Sequence, residues 1–270
     1  MIEVRPEGKN TSDIVTRNKG LILEYLKNGE CAPGDGCETD GRANGGSWLN
    51  DGVYVWPADT ISCFEQNGQA LPDAFIRHVL MRIKRMQRRR CLDARRSLTA
   101  AERVRFSERI CQNILKLDEA RSAKVILSYA ATPDEVDLDK FNSRAEAEGK
   151  LVAYPYVLED GGMEAAVPRD SQAWETGRFG IRTPAAAKSE FIPPEMIDLV
   201  LVPCAGFDAE GGRLGRGGGY YDRFLPRCPK ADCVAVAFEA QKLERVARDE
   251  NDHTVGAIVT ELDCYRSGAE

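Results

Sequence analysis

The chain is 270 residues long, with 37 basic and 43 acidic side chains and a formal net charge of −6. Hydrophobic residues make up 43% and charged residues 30%, the balance of a globular protein that buries a core without disulfides or metal. No apolar run reaches the roughly 18 residues that span a bilayer, no apolar signal segment opens the chain, and mild acidity is wrong for a nucleic-acid coat: a soluble cytoplasmic protein is expected.

Charge divides unevenly along the chain. Residues 1–80 hold seven basic and twelve acidic side chains, whereas from Arg77 to Arg105 eleven Lys or Arg meet only Asp93 and Glu102. A shift of that size predicts a boundary near residue 80, with a small N-terminal α/β or α+β module over 1–80 and a main domain over 81–270. Within the module, Ile14, Leu21, Leu23 and Leu26 predict a short helix closed by Gly29. Cys31 to Gly46 reads as a mobile loop rich in Gly and Asp, and Gly52 to Pro57 as a strand whose aromatics call for burial. Leu71-Pro72-Asp73 opens a helix that can run on through Met81 into the basic segment. No chemistry attaches to this module, which reads as a packing or regulatory appendage.

From residue 98 onward helices and strands alternate. Thr99 and Glu102 form a capping box, each able to satisfy backbone donors left free at a helix start, and Val104, Cys111, Ile114 and Leu117 supply the apolar stripe that follows. Strands are predicted at 124–129, at 151–154 (stopped by Pro155), and at 197–202, 233–238 and 256–260. A helix capped by Asp137 runs to about Glu148. Short apolar strands separated by helices predict the α/β class: a three-layer, Rossmann-like, mostly parallel sheet with helices on both faces. The nine cysteines are odd in number and show no Cys-x-x-Cys spacing, and His78 and His253 are the only histidines. Reduced, mostly buried thiols are therefore expected rather than a zinc site.

The residues that carry chemistry concentrate between Pro203 and Asp222, after the strongest strand and before a short helix over 221–227. Parallel sheets bind ligands beyond the carboxyl ends of their strands, so the position suits a site. Gly215, Gly217, Gly218 and Gly219 let backbone amides converge on ligand oxygens, and Arg213 and Arg216 add cationic forks suited to phosphate. The helix start would add its positive end. Neither a Walker loop nor a dinucleotide Gly-x-Gly-x-x-Gly is present. A plain glycine hinge has no need of two arginines, a Tyr-Tyr pair and an Asp, so the segment reads as a phosphate cradle.

Arg213-Leu-Gly-Arg-Gly-Gly-Gly-Tyr-Tyr-Asp222, after Leu201-Val-Pro-Cys-Ala-Gly-Phe-Asp208, resembles the signature of the 5-formyltetrahydrofolate cyclo-ligases, also called 5,10-methenyltetrahydrofolate synthetases. The resemblance spans about residues 82–262. Lys84 and Arg88 match the family's Lys-x-x-x-Arg, Tyr129 and Pro133 to Asp137 its second block, Gly180 to Pro184 its third, and Glu250-Asn251-Asp252 its last. It implies ATP-dependent closure of 5-formyltetrahydrofolate to 5,10-methenyltetrahydrofolate with release of ADP and phosphate. The formyl oxygen attacks the γ-phosphate of MgATP, and N10 then captures the N5 iminium phosphate. By the same resemblance Arg213, Arg216 and Tyr220 are catalytic. Lys84, Arg88, Arg213, Leu214, Gly215, Arg216, Gly217, Gly218, Gly219, Tyr220 and Tyr221 would bind ATP. Glu135, Arg216, Gly217, Gly218, Gly219 and Tyr220 would meet the folate, and Asp222 and Asp252 would bind Mg2+.

Residue chemistry alone leaves milder alternatives open. Lys84 and Arg88, four apart, share a helix face and can clamp phosphate, yet they also suit a solvated basic helix or a weak nucleic-acid patch. Asp222 suits a helix cap and Glu135 a solvated turn; Tyr220 and Tyr221 either stack on a flat ring or pack under the loop. The sequence also departs from the family at Thr183, where many members have Glu, at Asn251, where many have His, and at Gly218, where some have Lys. The departures at Thr183 and Asn251, together with the extra N-terminal module, keep open a folate- or nucleotide-binding relative with lost or altered turnover. The expected partner is 5-formyltetrahydrofolate, with no nucleic acid and no membrane, acting on a monomer.

Overall fold

The computed structural model describes residues 1–9, 12–31, 48–66, 69–177 and 180–268, so most of the predicted loop from Cys31 to Gly46 lies outside the described residues. Contacts divide the chain into two compact units. One is Met1–Met86 with Ala247–Asn251, the other Gln87–Val246 with Asp252–Glu270. No described helix is long and apolar enough to cross a membrane.

In the first unit, strands β1 (Ile2–Glu3), β2 (Glu30–Cys31), β3 (Trp48–Asn50) and β4 (Tyr54–Pro57) form a sheet of order β1-β4-β3-β2. Helix α1 (Asp13–Lys27) buries Val15, Asn18, Ile22 and Leu26, a helical-period stripe that leaves Ile14, Leu21 and Leu23 at its half-buried margins. The aromatics of β4 are buried as their composition demands: Trp56 is fully enclosed, its ring 5.5 Å from that of Phe75. Helix α2 spans Thr60–Glu65, and helix α3 runs unbroken over Asp73–Ser97, a stretch without Gly or Pro and rich in Arg. Asp51 ties this unit together. Its Oδ1 accepts from the backbone of Val53 and Tyr54, while Oδ2 accepts from the Tyr25 hydroxyl and lies 2.6 Å from His78 Nε2. Burial raises the Asp51 pKa, but these hydrogen bonds outweigh it and bring the carboxyl from 3.8 down to about 2.

The second unit is built on strands β5 (Val125–Leu127), β6 (Leu151–Val157), β7 (Met163–Pro168), β8 (Ser189–Ile192), β9 (Leu199–Pro203), β10 (Asp232–Val236), β11 (Ala257–Val259) and β12 (Cys264–Arg266), in the order β8-β7-β6-β5-β9-β10-β11-β12. The five strands from β6 to β11 in that order are mutually parallel, with antiparallel strands added at both edges. Helices α4 (Ala100–Ile114), α5 (Asp118–Ser122) and α6 (Asp139–Ala147) contribute to the core on one face, where Leu199 and Leu201 point. Val200 and Val202 point into the opposite core with Phe224 and Leu225. Each of these four strand residues is fully buried, worth about 1.5–3 kcal/mol apiece relative to exposure. The three-layer α/β expectation therefore holds, with apolar runs rather than alternation because both faces are covered.

Local details follow from the same physics. The Thr99–Glu102 capping box forms in full. Asp137 is not the cap of α6: the N-cap is Leu138, which has no side-chain cap, and Asp137 stands one residue earlier, accepting the backbone N–H of Asp139 at 2.8 Å. Val104, by contrast, points to solvent at 61% exposure, and Ser107 takes the inward position by accepting from the backbone N–H of Asp137. Pro155 does not stop β6. Parallel pairing with β5 ends at Ala153, so the missing N–H of Pro155 falls where β5 no longer reaches, and the strand continues against β7. Seven described cysteines are free thiols, of which Cys91, Cys111, Cys204 and Cys228 are buried; burial raises their pKa values to between about 11 and about 12. Cys37 and the Cys31 side chain lie outside the described residues.

Candidate active site

Strand order reverses between β5 and β9: the chain moves from β5 to β6 on one side and later to β9 on the other. Such a switch point opens a crevice at the carboxyl ends of the two strands. The segments that leave those ends are 128–138 and 204–219, and both predicted ligand-binding stretches lie on them.

The second segment begins as a small hairpin, Gly206–Phe207 pairing with Arg213–Leu214. Asp208, which sequence reasoning passed over, shapes its turn. Fully buried, it accepts from the backbone N–H groups of Gly212, Glu210 and Val246 at 2.8, 3.0 and 2.8 Å. A Cβ on Gly212 would come within 2.4 Å of that carboxylate, so the turn requires glycine there. The chain then passes through Gly217 (φ +108°) and Gly219 (φ +65°), backbone that favours glycine, into helix α7, Tyr220–Phe224. With only five residues, that helix has little dipole to offer an anion.

The loop's arginines differ sharply in setting. Arg213 is buried; its Nη2 meets Asp222 Oδ1 at 2.7 Å, and its Nε has no hydrogen-bond partner. The backbone N–H of His253 also reaches Asp222 Oδ1, at 3.4 Å, which brings the neighbourhood of Asp252 to Asp222. Arg216 is 44% exposed, and its Nη2 lies 2.8 Å from Glu135 Oε1 and from Thr132 Oγ1. Arg88 donates through Nε to the Gly215 carbonyl at 2.7 Å. Burial lowers its pKa against the nearby charge of Asp252. Lys84 lies in the first unit, buried, with Nζ 2.6 Å from Asp249 Oδ2. Burial raises the Asp249 pKa, but hydrogen bonding from Lys84 and the Asn251 backbone outweighs it and holds the carboxyl below the ordinary value.

The first segment turns at Thr132. The Glu135 backbone N–H donates to the Thr132 carbonyl, and the Thr132 N–H and hydroxyl both reach Glu135 Oε2 at 3.0 Å. Arg95 of α3, also missed from the sequence, donates to Asp134 Oδ2 at 2.7 Å. Burial raises the Asp134 pKa, but Arg95, Thr132 and Arg216 outweigh it and leave the carboxyl below the ordinary value. The signal for Arg95 was present, since it stands seven residues after Arg88 on the same helix face.

The tyrosines divide between the two expected parts. Tyr220 is half-buried, and Gly218 packs on its ring: a Cβ there would lie 2.6 Å from Tyr220 Cε2, so the absence of a larger side chain at 218 goes with this ring position. Tyr221 has a buried hydroxyl with no hydrogen-bond partner, and its pKa is raised by burial and by the charge of Glu135. Thr183 spends its hydroxyl on the Pro155 carbonyl at 3.3 Å, and the Asn251 N–H donates to Asp249.

Comparison with known proteins places these features in a lineage. Residues 81–261 match the model of the 5-formyltetrahydrofolate cyclo-ligase family. The 5-formyltetrahydrofolate cyclo-ligase of Mus musculus is 29% identical over 182 residues, 62% of this chain and 87% of the mouse protein. That of Haemophilus influenzae is 27% identical over 162 residues, 58% of this chain and 87% of its own. The solved 5,10-methenyltetrahydrofolate synthetase of Aquifex aeolicus superposes with a TM-score of 0.61 at 35% identity, covering 70% of this chain and 94% of the other. With two thirds of its length matched to one family model, the chain belongs to the 5-formyltetrahydrofolate cyclo-ligase family.

Proposed function

We propose that the protein closes 5-formyltetrahydrofolate to 5,10-methenyltetrahydrofolate, using ATP and releasing ADP and phosphate. It is a ligase by family, and its crevice has parts suited to this reaction. The observation that carries the reading is the Arg216–Glu135 ion pair at 2.8 Å. It joins the glycine loop after β9 to the acidic turn after β5, so the phosphate-binding and folate-binding stretches share one crevice.

Phosphoryl transfer asks a protein mainly for positioning and neutralisation of charge. Arg216, half exposed on a glycine-rich loop, is free to turn toward the γ-phosphate, and the loop amides and Arg88 would hold the remaining phosphate oxygens. Lys84 is assigned to ATP as well, on its match to the family motif. Arg213, buried against Asp222, supports the reaction by fixing that carboxylate. Glu135 would accept N–H donors of the folate, and Tyr220 would lie against its ring.

Magnesium is assigned on the match to the family's metal positions. Among the described residues no three or more ligating side chains gather, and Mg2+ ordinarily takes only one or two carboxylates together with phosphate oxygens and water. Asp222 and Asp252 would hold it, and it would neutralise phosphate charge.

The test is to mix protein with 5-formyltetrahydrofolate and MgATP and to follow the near-ultraviolet band of the methenyl product. An ATP-dependent rise is expected. No rise in a preparation that binds both ligands by calorimetry overturns the assignment in favour of a non-catalytic relative.

A further inference from the structure

Arg95 belongs to none of the family blocks by which the chain is recognised, yet it is as enclosed as Arg213, with 3% of its side chain exposed. Its fork spans two neighbouring acids. Nη2 donates to Asp134 Oδ2 at 2.7 Å, Nη1 lies 3.9 Å from Glu135 Oε1, and Nε is buried without a hydrogen-bond partner. We propose that Arg95 is the positioning residue of Glu135: it keeps the carboxylate aimed into the crevice when Arg216 turns away to phosphate. The inference rests on the reading of Glu135 as the folate acceptor and extends it to a residue outside the binding stretches.

The supports of Glu135 are unequal. Arg216 is 44% exposed on the glycine loop, so it is the support that an incoming anion can draw off. Thr132 gives Glu135 Oε2 its backbone N–H at 3.0 Å, but its hydroxyl has a single proton, with Asp134 Oδ1 and Glu135 Oε2 equally near at 3.0 Å, and neither donor carries a charge to offset the two acids. Once Arg216 leaves, two adjacent carboxylates face each other, and like charges at that spacing repel. Arg96 also approaches Asp134, at 4.0 Å, but it is 65% exposed and water screens it. Arg95 alone is buried, held on a long helix, and forked so that one group serves both acids. A lysine, a single point charge, cannot span them in the same way.

The experiment measures folate and ATP dissociation constants by calorimetry, with KM and kcat beside them, in wild type, Arg95→Lys, Arg95→Ala, Glu135→Gln and the Arg95→Ala/Glu135→Gln double variant. Arg95→Ala is expected to weaken 5-formyltetrahydrofolate binding by about 10–100-fold, the worth of a charge-assisted contact, while ATP affinity stays within about twofold. Arg95→Lys should recover only part of the loss. In the Glu135→Gln background the Arg95 substitution should add little, because the two act as one unit. Equal losses for both ligands, or full additivity in the double variant, overturn the proposal. Should Arg95→Ala fail to fold, Arg95→Lys carries the test, weakening folate but not ATP. Inactive wild type would sink the cyclo-ligase assignment itself; active wild type with unchanged folate affinity in the variants sinks only the role of Arg95.

Discussion

Asp222 holds a buried arginine and stands beside the backbone of His253, so it joins two parts of the proposed site through one carboxylate. Asp222→Asn keeps the shape but removes the charge that balances Arg213. The expected outcome is a fall in kcat of at least about tenfold with a stability loss of about 1–3 kcal/mol, checked by steady-state rates and urea unfolding. Asp51, in the first unit, gives a pH prediction. Its folded pKa of about 2 lies below the ordinary 3.8, so the ionised carboxylate stabilises the fold fully above 3.8, and that contribution is lost as pH falls toward 2. Asp51→Asn should remove roughly 1–2 kcal/mol at neutral pH and flatten the acid limb of the stability profile over that window. At this scale the sequence drew attention to residues whose features are local, such as the loop glycines and Arg216, which the structure places on the segment after β9. Arg95 shares a helix face with Arg88, but its partner is an acid on another segment, and Asp208 reaches the N–H of Val246; tertiary contacts of that kind are not written in local sequence.

Among the elements, periodicity was most reliable where one physical rule dominated. The strands of the parallel sheet were legible as apolar runs, since both faces are buried, and the capping box of α4 was legible because both partners lie within one turn. Thr99→Ala should lower the melting temperature by roughly 2–4 °C, read by calorimetry, with the folate KM unchanged. Val104 misled because its apolarity fits a helical stripe equally well one position away from the face that packs. Pro155 misled because a proline ends a strand only where its missing N–H would be used. The helix expected over 221–227 is helical to its end but changes kind, since α7 closes at Phe224 and Leu225–Arg227 continues as a tighter helical turn around a proline.

Over the whole molecule the notable feature is a return of the chain. Composition registers charge along the sequence and cannot register that Ala247–Asn251 packs with the first unit. That strip is held by contacts 230 residues apart in sequence: Asn18 Nδ2 donates to the Arg248 carbonyl at 2.7 Å, and the Arg248 N–H donates to Asn18 Oδ1 at 3.1 Å. Ala247 is fully enclosed in the same core, and Lys84 pairs with Asp249. Asn18→Ala should therefore raise amide exchange at Arg248 by tenfold or more, roughly the factor for one buried hydrogen bond, while exchange in β9 and β10 is unchanged.

The return also orders events during synthesis. Met86 leaves the ribosome roughly 160 residues before Ala247, which at about 5–20 residues per second is a wait of about 10–30 s. Throughout that interval the nascent first unit lacks its closing strip, with Asn18 without its Arg248 partners and the place of Ala247 unfilled. The part of the protein made first is thus among the last to be completed. A partner that covers that pocket would have its opportunity on the ribosome rather than on the finished enzyme.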